Sequence, residues 1–170
     1  MDEKINTNRR EFLNRFRKTV QEARAMPPPK TPRQFSRPPH AVDELIFEKL
    51  CDGCAECQTA CPNSVIEMQA ENAIINLDYN SCSLCDECVD ACATGALHKS
   101  IPEHIDLQPR FSESCNLAMQ IPCTSCLDAC SRGAITLDGG DLPVFNSKLC
   151  NGCGECRSAC YIGAITLALT

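Results

Sequence analysis

Cys51, Cys54, Cys57 and Cys61 place four thiols within eleven positions, at spacings of two, two and three, and Pro62 closes the run. The same spacing returns at Cys82, Cys85, Cys88 and Cys92, and again at Cys150, Cys153, Cys156 and Cys160. A further copy is stretched: Cys115, Cys123, Cys126 and Cys130, with seven residues between its first two cysteines. All 16 cysteines of the chain fall in these four units. The 2-2-3 spacing is the bacterial-type [4Fe–4S] ligation pattern. Three closely spaced thiolates take three corners of one cube, and the fourth reaches another cube.

The fourth thiol is turned away because the longer step places it on a following helix. The pairing expected is therefore crossed. Cys51, Cys54 and Cys57 combine with Cys92, and Cys82, Cys85 and Cys88 combine with Cys61. Likewise Cys115, Cys123 and Cys126 combine with Cys160, and Cys150, Cys153 and Cys156 with Cys130. The three regular motifs predict three [4Fe–4S] clusters, and the stretched unit predicts a fourth. Its long loop, Asn116–Pro122, leaves open a labile or incomplete cluster in which Cys115 is not a ligand. Only Cys61 is followed by proline; Ala93, Ser131 and Tyr161 follow the other terminal cysteines. That difference bears on hydrogen bonding and solvent access near a cluster, the variables that set its potential.

Two other uses of cysteine compete. A disulfide framework belongs to secreted chains, and the first thirty residues hold no continuous apolar h-region. Structural zinc needs only two Cys-x2-Cys pairs, which leaves the third and fourth thiols of each 2-2-3 run unexplained. With 5% aromatic residues and no tryptophan, the chain can bury little core, so a metal group is needed to hold it together. No stretch approaches a membrane span. The expectation is a cytoplasmic protein with no membrane span.

The formal charge of −6 hides an asymmetry: residues 1–40 carry ten Lys/Arg against four acids, and the rest carries six against eighteen. A basic arm on an acidic body reads as a docking or steering element. Nucleic acid is a poor fit, because the body is acidic and no aromatics interleave with the basic residues.

Residues 1–25 read as an amphipathic helix, with Phe12, Phe16 and Val20 on one face and Asn8 and Glu11 placed like a capping box. Asn8-Arg9-Arg10-Glu11-Phe12-Leu13 resembles the core of a twin-arginine export signal, but Arg15, Arg17, Lys18, Glu22 and Arg24 occupy the place of its apolar segment. Residues 26–39 hold six of the eleven prolines and read as a semi-rigid linker. The domain division expected is an arm and linker over 1–40, a two-cluster module over 41–100 and a second over 101–170.

Ser64, Gly95, Gly133 and Gly163 each stand three positions past the last cysteine of a unit, and Ile66, Leu97, Ile135 and Ile165 stand two further on. This register predicts a short helix at the third and fourth cysteines, ended by Gly or Ser and followed by an apolar strand. Hairpins are expected around Gln69–Ala73 and around Asp138-Gly139-Gly140-Asp141. Pro102, His104 and Pro109 are expected to interrupt any strand between units two and three. The fold class is α+β: tandem bacterial-type 2[4Fe–4S] ferredoxin modules with a basic N-terminal helical arm.

Three features together go beyond a generic ferredoxin: the Arg9-Arg10 arm, the stretched Cys115-x7-Cys123 unit, and Asn146-Ser147-Lys148-Leu149-Cys150-Asn151-Gly152-Cys153-Gly154-Glu155-Cys156. With them the chain resembles, over nearly its whole length, the NapF family of ferredoxin-type accessory proteins of the periplasmic nitrate reductase system. The resemblance implies a cytoplasmic protein that binds NapA, the catalytic subunit, before export. It further implies a role in maturing that subunit, by supplying electrons or assembling its iron–sulfur cluster; the charge of the basic arm adds the expectation that it contributes to docking. A plain electron-transfer subunit serving a reductase complex fits the cysteine spacing equally. Catalysis by the chain itself is not expected. His40, His98 and His104 are scattered and read as solvated, and no nucleophile, phosphate loop or substrate pocket signature is present.

Overall fold

The computed structural model describes residues 32–170. The arm helix expected over 1–25, and the linker as far as residue 31, lie outside the described residues.

The chain from Asp43 onward opens with α1 (Glu44–Leu50), whose N-cap Asp43 accepts a hydrogen bond from the Leu45 N–H. Glu44 in its first turn and Lys49 in its last complement the helix dipole. Its inner face carries Phe47, which is fully buried.

Each cysteine unit then folds in the same way. The third cysteine lies in a one-turn helix: α2 (Glu56–Ala60), α3 (Glu87–Asp90), α4 (Ser125–Asp128) and α5 (Glu155–Ser158). The fourth follows closely, and Ser64, Gly95, Gly133 and Gly163 all take left-handed backbone (φ 53°, 78°, 59° and 66°). That single reversal redirects the chain into an apolar extended segment, as the register predicts.

Two hairpins follow from this. Strands β1 (Ile66–Gln69) and β2 (Asn72–Ile75) pair antiparallel with Ile66 opposite Ile75. Their turn is tighter than expected, two residues (Ala70 and Glu71) at φ 47° and 68°, the twist a two-residue hairpin favours. In the second half β4 (Ile135–Thr136) pairs with β5 (Val144–Phe145) across the Asp138–Asp141 turn.

The region between units two and three corrects the sequence expectation. Despite Pro109, Leu107–Phe111 form a strand, β3, which pairs antiparallel with β6 (Ile165–Leu169), Pro109 standing opposite Leu167. In a two-stranded ribbon both strands are edges, so a residue lacking an N–H is tolerated where that group would face away from the partner. The first half repeats the arrangement in miniature. Ala41 bridges Leu97, the Val42 N–H donates to the Ala96 carbonyl at 3.1 Å, and the His98 N–H donates to the His40 carbonyl at 2.9 Å. Each half is thus a hairpin plus a pairing of its own first and last segments.

A second correction concerns the linker, expected to run to residue 39 within an arm ending at 40. Residues 32–170 belong to one compact unit, and Pro38 and Pro39 are fully buried. Arg37, only 3% exposed, donates through Nη2 to Glu44 Oε1 at 2.6 Å and through Nη1 to the Ala73 carbonyl at 2.9 Å. Its guanidinium also lies 4.7 Å from the Phe47 ring centroid. Arg33 donates to Asp106 Oδ2 at 2.7 Å and to the Val42 carbonyl at 2.8 Å. Two of the arm's basic residues are therefore internal ties, which composition alone could not distinguish from docking charges.

The larger apolar core gathers Phe47, Val65, Ile66, Ile75, Leu77, Leu97, Ile105 and Leu107, with Leu167 and Leu169 packed against it. It reaches across the junction expected at 100–101. The smaller core contains Ile135 and Ile165 with two cysteines, Cys126 and Cys156, and Phe111 and Phe145 at its margin.

Candidate metal centres

Four hollows open among the cysteine loops. Cys51, Cys54, Cys57 and Cys92 line the first, of about 320 Å³. Cys61, Cys82, Cys85 and Cys88 line the second, of about 330 Å³. Cys115, Cys123, Cys126 and Cys160 line the third, of about 350 Å³, and Cys130, Cys150, Cys153 and Cys156 the fourth, of about 380 Å³. The grouping is the crossed one, and the stretched unit makes a hollow of the same kind and size as the regular ones. All sixteen thiols are free. Among the described residues no three metal-ligating side chains converge on a single ion position. A single tetrahedral ion needs its thiolates about 2.3 Å from one point, whereas a cube presents a different iron to each thiolate. Four thiols spread around the wall of a hollow fit the cube.

Local backbone explains how the regular and stretched loops reach the same end. In each regular unit the residues on both sides of the second cysteine are left-handed: Gly53 and Ala55, Leu84 and Asp86, Gly152 and Gly154. The paired reversals coil the loop inward. In the stretched unit Thr124 has φ −126° instead. There a turn does the folding back: the Met119 N–H donates to the Cys115 carbonyl at 3.3 Å and the Ile121 N–H to the Asn116 carbonyl at 2.8 Å. The buried Asn116 side chain donates to the Tyr161 hydroxyl across the hollow. Seven residues, Gln120 among them left-handed (φ 59°), replace the two that separate the first and second cysteines of a regular unit.

The third cysteine of each unit is the buried one. Burial, with the neighbouring thiolates of the same hollow adding to it, pushes the Cys57 and Cys126 thiols up to about 11 and those of Cys88 and Cys156 up to about 12. Burial also pushes Cys82 up to about 11 and raises Cys153. Two cysteines go the other way. Burial would raise Cys92, but the Leu97 N–H, the Thr94 hydroxyl and the neighbouring N–H groups outweigh it and hold the thiol below its ordinary value. The N–H and hydroxyl of Ser125, ahead of Asn116, do the same for Cys123.

Backbone N–H groups point at three of the four terminal cysteines. Leu97 donates to Cys92 Sγ at 3.4 Å, Ala134 to Cys130 Sγ at 3.3 Å and Ala164 to Cys160 Sγ at 3.3 Å. The left-handed glycine at the third position past each of these cysteines turns the chain so that an N–H one residue on (Ala134, Ala164) or two residues on (Leu97) points back at sulfur. Among the described residues Cys61, the one followed by proline, receives no such bond. Thr94, Ser125 and Asn116 were not singled out by sequence; their signal, a hydroxyl or amide within two residues of a motif cysteine, is too common to read alone.

The histidines divide. His98 is exposed and bonds Ser100, and His104 is part-exposed beside Asp106. His40 is buried rather than solvated, held between the Ile101 carbonyl (Nδ1, 2.6 Å) and Asp86 Oδ1 (Nε2, 2.9 Å). The chain reversal at His40 (φ 65°) that starts the strand pairing with Leu97 carries the ring inward.

Comparison with known proteins agrees with this geometry. A family model for a 4Fe-4S dicluster domain matches residues 50–96, and one for a 4Fe-4S binding domain matches residues 143–166. An uncharacterized protein of Haemophilus influenzae is 41% identical over 132 residues, covering 78% of this chain and 77% of that protein. The ferredoxin-type protein NapF of Escherichia coli K12 is 36% identical over 135 residues, covering 76% of this chain and 82% of NapF. The methylamine utilization ferredoxin-type protein MauM of Paracoccus denitrificans is 30% identical over 150 residues, covering 75% of this chain and 67% of MauM. The crossed thiol sets, the two 4Fe-4S domain matches and the extended identity together place the chain in the NapF family of ferredoxin-type iron–sulfur proteins.

Proposed function

We propose that the chain is a cytoplasmic four-cluster polyferredoxin that binds NapA, the catalytic subunit of periplasmic nitrate reductase, before its export. In this reading it assists maturation of NapA by supplying electrons or helping to assemble its iron–sulfur cluster. The observation that carries it is the set of four like hollows, each with three thiols of one unit and one of its partner. The partner comes from the likeness to NapF. A [4Fe–4S] cluster supplies reversible one-electron chemistry when bound. The chain's own residues supply four thiols per hollow, bury the third thiol of each unit, and aim N–H groups at three of the bridging ones. Among the described residues no helix is long and apolar enough to cross a membrane. The rival reading, a general relay subunit for a reductase complex, keeps the same clusters and drops the partner.

Two experiments test the proposal. Anaerobic analysis should find about sixteen irons and as many sulfides per chain, four for each cube; zinc without sulfide would overturn the cluster assignment. Co-purification with tagged NapA from cytoplasm, compared with a deletion of residues 1–31, tests partner and arm together. Loss of capture on deletion supports docking by the arm, and capture of neither form refutes the NapA assignment. The deletion stops at residue 31 because Arg33 and Arg37 belong to the folded unit.

Thr94 Oγ1 lies 3.6 Å from Cys92 Sγ. Thr94→Val should lower the first cluster's potential by about 20–60 mV, the one-electron equivalent of a hydrogen bond worth about 0.5–1.5 kcal/mol. A redox titration followed by EPR reads it; an unchanged potential shows that the contact does not act on the sulfur. Iron binds thiolate, so affinity climbs with pH until each thiol's pKa is passed. With Cys57 and Cys126 at about 11 and Cys88 and Cys156 at about 12 in the metal-free fold, retention of iron against a chelator should keep rising between about pH 7 and about pH 10. A plateau near the ordinary thiol value of about 8.5 would show that burial does not govern uptake.

A further inference from the structure

We infer that the four hollows form one unbranched row in the order first, second, fourth, third, joined at its middle by the Cys82 N–H donating to the Cys153 carbonyl. This rests on the cluster reading above. Chain order suggests another sequence, in which unit three, next along the chain, follows unit two.

Within each half, the crossed cysteines join the hollows. Cys61 and Cys92 sit at opposite ends of the first pair, and Cys130 and Cys160 at opposite ends of the second. Between the halves, the contacts run from the second hollow to the fourth. The Cys82 N–H donates to the Cys153 carbonyl at 2.8 Å, so two motif loops bond backbone to backbone, each through a cysteine that lines a hollow. The Ile105 N–H donates to the Asn151 carbonyl at 2.9 Å two residues away. Arg157, on α5, clasps Asp78: its guanidinium donates to the Asp78 carbonyl and pairs with Oδ1 at 3.0 Å.

The close approach depends on glycine. A Cβ on Gly152 would overlap the Ile105 carbonyl, and one on Gly154 would stand 3.0 Å from Leu77 Cδ1. Both glycines have left-handed φ as well, 77° and 81°, so a larger residue is barred twice over. The charge of Cys153 is among the influences that raise Cys82, which reports the same proximity. Among the described residues no hydrogen bond or ion pair joins a residue lining the first hollow to the chain beyond 106. None joins a residue lining the third hollow to the chain before 107. The first and third hollows are therefore the ends of the row. One electron taken in at one end and one given out at the other must cross the Cys82–Cys153 junction, with one-electron redox proteins as donor and acceptor.

The test is EPR of the dithionite-reduced holoprotein, the second hollow's signal being assigned by its loss in Cys85→Ser. Removing the fourth hollow's cluster with Cys150→Ser should abolish the spin–spin broadening that it imposes on the second signal. Removing the third hollow's cluster with Cys115→Ser should leave the second signal unchanged and sharpen the fourth. The reverse pattern, with the third's removal altering the second, overturns the order while leaving the cluster reading intact. Because a cysteine variant can unfold its half, hydrogen exchange on the intact holoprotein gives a second measurement. Segments 78–83 and 151–157 should both exchange slowly, and Arg157→Ala should speed both while iron and sulfide content hold. Free exchange in the wild type, or no response to Arg157→Ala, overturns the junction. Zinc without sulfide in that same preparation would defeat the cluster reading, whatever the exchange shows.

Discussion

A Cys92→Ser variant is expected to lose the cluster of the first hollow and keep that of the second, although Cys92 belongs to the second motif. The reason is geometric. Cys92 lies two residues beyond the one-turn helix α3, and that turn carries its thiol away from Cys82, Cys85 and Cys88 to the wall formed by Cys51, Cys54 and Cys57. Iron should fall from about sixteen to about twelve atoms per chain, and the EPR signal that disappears should be the one also abolished by Cys54→Ser. Cys61→Ser should do the converse and remove the signal shared with Cys85→Ser. Loss of the second motif's own signal in Cys92→Ser would show that each unit is self-contained. The effect is all-or-none for one cluster, because a cube with a missing thiolate at a half-buried corner has no other thiol within its hollow, and the Met68 thioether that also lines it is a neutral, weak ligand.

Arg37→Ala is expected to destabilise the fold by about 3–5 kcal/mol, the cost of leaving a buried carboxylate without its partner. Glu44 is 5% exposed, and what remains to it is Arg33 Nε at 3.4 Å. The Ala73 carbonyl also loses its donor, and Phe47 loses the guanidinium packed on its ring. In a chain of this size the loss corresponds to about 10 °C in Tm, read as the temperature at which cluster absorbance collapses. Arg37→Met combined with Glu44→Leu should recover most of the loss, since no unpaired charge then stays buried and Arg33 keeps Asp106. A shift below about 2 °C for Arg37→Ala would mean that residues 33–43 do not brace the core.

The two results probe opposite ends of what could be read in advance. The crossed pairing of Cys61 and Cys92 is legible because the longer step that follows the third cysteine has one local consequence, a helical turn. The left-handed position three residues past each terminal cysteine is legible for the same reason, and so are the two hairpins. Arg37 is not legible: a basic residue among prolines reads as a solvated arm until a buried Glu44 is placed against it. His40 reads as solvated until Asp86 and the Ile101 carbonyl enclose it. The β3–β6 ribbon is hidden by Pro109, whose cost depends on which edge faces a partner, a fact no local window contains.

The sequence by itself therefore determined the chemistry of this protein: sixteen thiols in four units, spaced so that each unit gives three to one hollow and one to its partner. Short-range geometry suffices for the coiling of each unit, because the steps between its own cysteines are short and each is closed by a turn. The turn at the third cysteine sends the fourth thiol to the partner unit's hollow. Tertiary structure alone decided how the two halves meet. The Cys82–Cys153 bond, the Arg157–Asp78 clasp and the approach of Gly154 to Leu77 join residues about 70 to 80 positions apart, and Gly152 meets Ile105 from 47 positions away. Such contacts form only after both loops are coiled, and their energies are set by shape and charge that spacing does not encode.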